Sequence, residues 1–377
     1  MPGKGIGVRR GGKSGARDPD QPLAAGAVRN RPTRPRDPGQ ATHVSPSPQA
    51  HLARRPNGGR DRPAAPRSSS TPERLLKRAL KWTGRVLGGL VVLAALALAA
   101  VYALSEARMR RTYRVDPGPV AVRTDAEAVR QGAHLAVTRG CTDCHGAEMG
   151  GKVFIDELPV ARLAGSNLTR GRGGVAARYP ADADWVRAIR NGVAPDGRAL
   201  LFMPSHEFNP LGDEDVGALV AYLRSLPPVD GDLPARSVGP LGRALFLAGQ
   251  VPLLPAELID HAAPRRAAPA AGATAEYGAY LATGCTGCHG AGFSGGRIPG
   301  TPPDWKAAAN ITPDDATGLG RWTEQDFVRA MRTGRRPDGS GIDPLMPWKG
   351  LASMTDTELR ALWAYLRTVP AKPRGER

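Results

Sequence analysis

The sequence predicts an all-α chain in which two tandem copies of one small helical domain follow a disordered tail and one transmembrane helix. Three observations predict this: a basic, apolar-poor beginning, one long uncharged stretch, and a set of motifs that occurs twice at nearly constant spacing. The expected segments are a tail over 1–80, a transmembrane helix over 84–105, a first domain over 123–232, a linker over 233–271 and a second domain over 272–371.

The tail accounts for most of the charge of the chain. Residues 1–85 hold 19 Lys or Arg and 5 Asp or Glu, which is a net charge of +14. The whole chain has a formal net charge of +17. A segment with so few apolar side chains cannot offset its conformational entropy, so disorder is expected. A basic arm for anionic lipid or nucleic acid is the alternative. No aromatic residue precedes Trp82, so the tail has no aromatic side chain on which a base could stack. Nucleic acid is therefore not an expected partner.

Residues 86–104 form a run of 19 uncharged residues. As a helix this run would span roughly 28 Å, which matches the hydrocarbon thickness of a bilayer. Cleaved signal sequences have shorter apolar regions of about 7–15 residues, so an uncleaved anchor is the favoured interpretation and a cleaved signal the alternative. Basic residues flank both sides, and the tail tips the positive-inside rule towards a cytoplasmic N-terminus.

The remainder of the chain contains an internal repeat. Cys141-Thr-Asp-Cys144-His145 recurs 144 residues later as Cys285-Thr-Gly-Cys288-His289. Further pairs are Asn167-Leu-Thr169 with Asn310-Ile-Thr312, Met203-Pro204 with Met346-Pro347, and Ala221-Tyr-Leu-Arg224 with Ala364-Tyr-Leu-Arg367. A period this long indicates duplication of a domain and excludes a solenoid.

Each copy is expected to be helical. The capping-box patterns Thr124 to Glu127 and Thr355 to Glu358 open the first helix of copy one and the last helix of copy two. The corresponding helices are expected at about 274–283 and 213–226. No run of alternating β-branched residues is present, so strands are not expected. The apolar stretch 241–258 in the linker could pack between the domains or lie on a membrane surface.

All four cysteines fall within the two C-x-x-C-H motifs, the attachment signature of c-type haem. This spacing places both thiols on one turn, where each can add to a haem vinyl group, and the adjacent histidine can become the proximal iron ligand. We therefore expect two covalently attached haems, with Cys141, Cys144 and His145 in one copy and Cys285, Cys288 and His289 in the other. Zinc is disfavoured because structural zinc pairs lie closer in sequence, and a dithiol of the thioredoxin type would need a βαβ unit.

A sixth iron ligand is expected from methionine. Met203 and Met346 follow their proximal histidines by 58 and 57 residues, and both precede proline. A thioether is a soft ligand that favours Fe(II). His206 is the rival ligand in copy one, whereas the unpaired methionines, which are Met149, Met331 and Met354, are expected to serve in packing or at the surface.

Four loop residues are expected to support the haem sites. Each proximal imidazole should donate its free ring N–H to a carbonyl, and Pro159 and Pro299 are the candidates to position that carbonyl. Asn167 and Asn310 are candidates to hydrogen-bond the periphery of the haem.

The motif order resembles class I cytochrome c over about 123–232 and 272–371. The second copy especially resembles the cytochrome c subunits of bacterial membrane-bound alcohol and gluconate dehydrogenases. This resemblance implies that the first and last helices of each copy cross near a haem crevice, with Gly132 and Gly278 permitting the crossing. It also implies proximal roles for His145 and His289, distal roles for Met203 and Met346, and haem attachment outside the cytoplasm.

Together these inferences predict a membrane-anchored dihaem cytochrome c that transfers single electrons between respiratory partners in the periplasm. The expected partners are a dehydrogenase, an oxidase or a reductase, and the chain itself is expected to be a carrier and not an enzyme. The predicted location is the inner membrane, crossed once. A dihaem peroxidase, which needs one iron with an open distal position, is the alternative. A non-haem metal-binding or interaction module is the third possibility.

Overall fold

The computed structural model describes residues 72–265, 267–301 and 304–377. The disorder expected for residues 1–71 therefore lies outside the described residues. Contacts join the described part of the chain into one compact unit.

The described residues form helices and strands in the following order. The helices are α1 Pro72–Met109, α2 Ala126–Thr138, α3 Cys141–His145, α4 Asp182–Val186, α5 Ser205–Phe208, α6 Asp213–Ser225, α7 Pro240–Leu247, α8 Ala275–Leu281, α9 Thr286–His289, α10 Glu324–Thr333, α11 Trp348–Leu351 and α12 Asp356–Leu366. The strands are β1 Lys152–Glu157, β2 Ala161–Gly165 and β3 Ser237–Val238, and α4 continues as one π-helical turn, Arg187–Asn191.

Helix α1 contains the apolar stretch and begins earlier than expected. Residues 72–80, which the sequence analysis assigned to the tail, are helical, so that boundary was wrong. Pro72 suits the first turn because its missing N–H would have no partner there, and Glu73 pairs with Lys77 one turn later at 2.5 Å. The helix is long and apolar enough to cross a membrane, and its most apolar window is exposed along its whole length.

The repeat in the sequence is a repeat in the structure. Helices α2, α3, α4, α5 and α6 of copy one correspond in order to α8, α9, α10, α11 and α12 of copy two. In each copy the first helix packs on the last, α2 on α6 and α8 on α12. A Cβ at Gly132 would collide with the Ala218 carbonyl oxygen, and one at Gly278 with that of Ala361, so the expected glycine crossings are confirmed.

The all-α expectation was wrong for copy one. Strands β1, β2 and β3 form an antiparallel three-stranded sheet, in which β1 pairs with β2 and β2 with β3. A register shift between Val153 and Ile155 interrupts the period-two pattern, which hid β1 from the sequence analysis. Strand β3 lies about seventy residues further along the chain, so the sheet depends on a long-range pairing that local propensity does not report.

Three hydrophobic clusters organise the described residues. One lies within copy one and includes Trp185, Ile189 and Leu219, and one lies within copy two and includes Phe327 and Leu362. The third is formed by the linker. Its residues, which include Phe246, Leu253 and Leu254, pack against Val193 and Ala199 of copy one and against Met109 at the end of α1. The apolar linker stretch therefore binds copy one to the end of α1.

Candidate functional site

Both C-x-x-C-H motifs form short helical turns that follow the first helix of their copy. Gly140 and Gly146 flank α3 with φ of 75° and 80°, and Gly290 ends α9 with φ of 78°. These left-handed positions suit glycine, and they let the chain turn sharply into and out of the motif. All four cysteines are free. Burial raises the pKa of Cys141 to about 12 and that of Cys285 to about 11, so these thiols are protonated at neutral pH.

The two motif histidines make the same hydrogen bond. His145 Nδ1 lies 2.8 Å from the Ser166 carbonyl oxygen, and His289 Nδ1 lies 2.8 Å from that of Ala309. A carbonyl can only accept, so Nδ1 carries the proton and Nε2 is left for a metal. Burial lowers the pKa of both histidines, which favours the neutral ring that metals bind.

These acceptors differ from the expected ones. Pro159 and Pro299 were the candidates to position the carbonyl, but the acceptors are Ser166 and Ala309. Each directly precedes the asparagine of an Asn-x-Thr motif. The asparagines were expected at the haem periphery. Instead, the side chains of Asn167 and Asn310 are buried and hydrogen-bonded within the protein.

The two candidate distal methionines occupy equivalent turns. The Met203 carbonyl accepts from Ser205 N at 2.7 Å, and the Met346 carbonyl accepts from Trp348 N at 2.7 Å. Met203 packs against the same hydrophobic cluster as Cys141, and Met346 packs against the same cluster as Cys285. The fold thus brings a thiol and a thioether, 62 and 61 residues apart, to one core in each copy.

The other candidates have simpler positions. Met149, Met331 and Met354 are buried within the hydrophobic cores, as expected for packing residues. His206 lies on α5 three residues beyond Met203, with its Nδ1 buried and without a hydrogen-bond partner. His134 on α2 has its Nε2 2.9 Å from a carboxylate oxygen of Glu358 in copy two.

The residues of each copy fit a c-type haem. Paired free thiols, an imidazole with Nε2 available and a methionine sulfur are the groups that such a haem uses, and in both copies they adjoin an apolar core. A zinc site would need several His, Cys, Asp or Glu side chains to converge. Across residues 72–265, 267–301 and 304–377, no group of three or more such residues is placed to hold a metal ion.

The copies meet through reciprocal contacts. His134 on α2 contacts Glu358, the third residue of α12, and its repeat equivalent Tyr280 on α8 donates to Asp215, the third residue of α6. Tyr280 also accepts from Gly212 N at 3.0 Å. Equivalent residues exchange partners in this way only when two units are related by an approximate two-fold axis.

The same symmetry places the short helix after each Met-Pro turn, α5 in copy one and α11 in copy two, near the attachment region of the other copy. Helix α11 approaches the end of α2, where Gly350 faces the Val137 carbonyl, and α5 packs against the turn that begins α9. Glu207 of α5 faces Gly287, within the second C-x-x-C-H motif. Burial raises the pKa of Glu207 to about 7. No sequence signal pointed to Glu207, since its repeat equivalent is Gly350.

Two family models match the chain, one in each copy. Residues 127–223 match the model for subunit III of cbb3-type cytochrome c oxidase, and residues 275–370 match the model for cytochrome c. The matched segments coincide with the two copies of the repeat, and the expected resemblance to cytochrome c is confirmed.

Similar curated proteins are cytochrome subunits of dehydrogenases. The chain is 28% identical to the cytochrome c subunit of alcohol dehydrogenase (quinone) from Gluconobacter oxydans, over 67% of this chain and 57% of that protein. It is 28% identical to the gluconate 2-dehydrogenase cytochrome c subunit of Pantoea cypripedii, over 65% and 60%. It is 25% identical to the fructose dehydrogenase cytochrome subunit of Gluconobacter japonicus, over 74% and 60%. The chain thus spans about 60% of the length of these relatives.

Proposed function

We propose that this chain is a membrane-anchored dihaem cytochrome c that passes single electrons between redox protein partners in the periplasm. The observation that carries the proposal is the duplicated site. In each copy a histidine with its Nδ1 bonded to a carbonyl follows a C-x-x-C pair, and a Met-Pro turn borders the same core. A c-type haem bound in each copy would supply an iron that cycles between Fe(II) and Fe(III).

The chain's own residues hold these ligands in place. Cys141, Cys144, Cys285 and Cys288 would attach the haems, and His145 with Met203 and His289 with Met346 would hold their irons. A neutral imidazole and a thioether together favour Fe(II) and so raise the reduction potential. Both ligands are anchored by backbone hydrogen bonds, so they need little rearrangement when the charge on the metal changes.

Helix α1 is the proposed membrane anchor. After the apolar stretch, Arg108 pairs with Glu257 at 2.5 Å and Arg110 pairs with Glu106 at 2.7 Å. The positive-inside rule counts Lys and Arg, of which residues 1–85 hold 19, whereas the residues that follow the stretch closely are Arg108, Arg110, Arg111 and Arg114. The positive-inside rule then favours a cytoplasmic N-terminus, which supports a periplasmic location for both copies.

The named relatives suggest the partners. Their alcohol, gluconate and fructose dehydrogenase complexes support a dehydrogenase as the electron donor. A peroxidase would need an open distal position at one iron, and the equivalent Met203 and Met346 turns support a carrier instead. Single-electron transfer with no substrate bound at iron is the function that this arrangement favours.

The first test counts haems on the purified full chain, expressed in a host that attaches haem c. We expect two covalent haems per chain, both low-spin, visible by peroxidase staining after denaturing electrophoresis. The matched variants Cys141→Ser with Cys144→Ser, and Cys285→Ser with Cys288→Ser, should each retain one haem. A wild-type chain without covalent haem contradicts the proposal, and a high-spin iron with peroxide turnover favours the peroxidase.

The second test addresses location. We expect the intact chain in the membrane fraction after alkaline carbonate washing. A reporter that is active only in the periplasm should be active when fused after residue 377 and inactive when fused before residue 72. Release of the chain by carbonate, or the opposite reporter pattern, would contradict the anchored arrangement.

A further inference from the structure

The two carbonyls that accept from the motif histidines belong to a shared structural feature. Ser166 and Ala309 each stand immediately before an Asn-x-Thr motif. The peptide that presents the carbonyl is therefore joined to the asparagine that follows it, and whatever fixes that asparagine also fixes the carbonyl.

In copy one the asparagine is completely buried and tied in two directions. The side-chain oxygen of Asn167 accepts from Thr169 N at 2.9 Å and from Thr169 Oγ1 at 2.7 Å. Its Nδ2 donates to the Val229 carbonyl at 2.6 Å, and Val229 N donates to Thr169 Oγ1 at 3.0 Å. These bonds clasp the loop to the segment that follows α6.

Copy two repeats this clasp with different neighbouring residues. Asn310 accepts from Thr312 N at 3.0 Å and from Thr312 Oγ1 at 2.8 Å, and donates to the Lys372 carbonyl at 2.7 Å. Its second N–H donates to Thr317 Oγ1 at 2.9 Å. Every donor and lone pair of the amide is thus used within the protein, so the side chain has no capacity left for a haem edge.

We propose that Asn167 and Asn310 are positioning residues for the proximal histidines. By clasping the loop to the chain beyond the last helix, each asparagine holds the preceding carbonyl against Nδ1 of His145 or His289. This inference rests on the proposed haem ligation and goes beyond it, because neither asparagine touches the ligand it controls.

The consequence for the site is electronic as well as geometric. A histidine that donates Nδ1–H to a well-placed carbonyl is a stronger donor through Nε2, and stronger donation stabilises Fe(III). When the carbonyl is free to move, this hydrogen bond weakens and the Fe(II) form gains relative stability. Loss of one asparagine should therefore raise the reduction potential in its own copy only.

The experiment uses the full haem-loaded chain and its two potentials, resolved by spectroelectrochemical titration. Asn310→Ala should raise one midpoint potential and leave the other unchanged, and Asn167→Ala should shift the other potential in the same direction. The Nδ1 proton of the affected histidine should also exchange faster with solvent by NMR. Thr317→Val is the matched control, because it removes a bond to the same amide without breaking the link to Lys372.

Asn310→Asp keeps the acceptor for Thr312 and loses the donors to Lys372 and Thr317. Because its added negative charge itself lowers the potential, the proton exchange of His289 in this variant decides the case if Asn310→Ala fails to mature. A haem-loaded variant with both potentials and the proton exchange unchanged overturns the inference. That result differs from failure of the proposed function, in which the wild-type chain itself carries no covalent haem.

Discussion

The two copies agree in the parts that face their own core and differ in the parts that face each other. Both have a glycine at the helix crossing, a Met-Pro turn and an Asn-x-Thr clasp. Across the interface, however, His134 corresponds to Tyr280 and Glu207 corresponds to Gly350. The shared features therefore belong to the repeated fold, and the differing residues distinguish one copy from the other.

Within the described residues, strands β1 and β2 belong to copy one and pair with linker strand β3, and copy one packs against the linker cluster and the end of α1. Copy two meets the linker where Gly300 lies beside Gln250 and Val251. Copy two reaches α1 through none of the described hydrophobic clusters. Copy one is thus the part that packs against the end of the proposed anchor.

The largest expected effect comes from breaking one helix crossing. Gly278→Val places a side chain against the Ala361 backbone and should destabilise copy two by about 3 kcal/mol or more, the upper range for overpacking. Gly132→Val should do the same in copy one. Chemical denaturation measures the loss.

Gly341→Ala is the control for this experiment, because a Cβ there meets open space. If Gly278→Val were as stable as this control, the tight crossing would not be required. If both valine variants unfolded in one common step, the copies would be a single cooperative unit and not two separable ones.

The second expected effect would distinguish the two proposed haem sites. Met203→Ala and Met346→Ala should each convert one of two low-spin signals to high-spin or water-bound character and lower one reduction potential, because the soft ligand is lost. Electron paramagnetic resonance and redox titration measure both changes. Met331→Leu, a core substitution of similar volume in copy two, should leave both signals low-spin. If both signals stayed low-spin in Met203→Ala, His206 would be the next candidate for the iron ligand in copy one.

Local sequence signals accounted for much of the fold. Thr355 caps α12 as its motif predicts: Glu358 N donates to Thr355 Oγ1 at 3.2 Å, and Thr355 N donates to Glu358 at 2.6 Å. The C-x-x-C-H turns and the glycine crossings also followed from short motifs, since each of these features depends on residues close in sequence or on a repeated pattern.

The features that were missed depend on distant partners. The carbonyl acceptor of His145 lies 21 residues away, and Glu358 lies 224 residues from His134. The burial of Glu207 arises only because α5 packs against the other copy. Tertiary packing sets these contacts, and no periodicity or propensity within one segment reports them.

The third expected effect concerns Glu207 of copy one, whose counterpart in copy two is Gly350. Its folded pKa of about 7 exceeds the ordinary value of 4.5, so the folded state holds this proton more tightly than the unfolded state. Protonated Glu207 therefore contributes fully to the free energy of unfolding below about pH 4.5. This contribution is lost as pH rises through about 7, a change on the order of 3 kcal/mol. Glu207→Gln should remove this decline, measured by denaturation at pH 5 and pH 8.

The exposed Glu276→Gln on α8 is the control and should leave the wild-type decline in place. An identical decline in Glu207→Gln would assign the pH dependence to another group.

The smallest expected effect lies in the reciprocal pairs. Glu358 raises the pKa of His134, so this pair stabilises the fold fully below about pH 6.5 and loses that contribution as pH rises through the raised value. His134→Gln should cost on the order of 1 kcal/mol at pH 6 and less at pH 8, because the pair is partly exposed. Tyr280→Phe removes the bonds to Asp215 and Gly212 and should cost a similar amount at both pH values. Equal pH dependence of the two variants would mean that the symmetry-related positions are not chemically distinct.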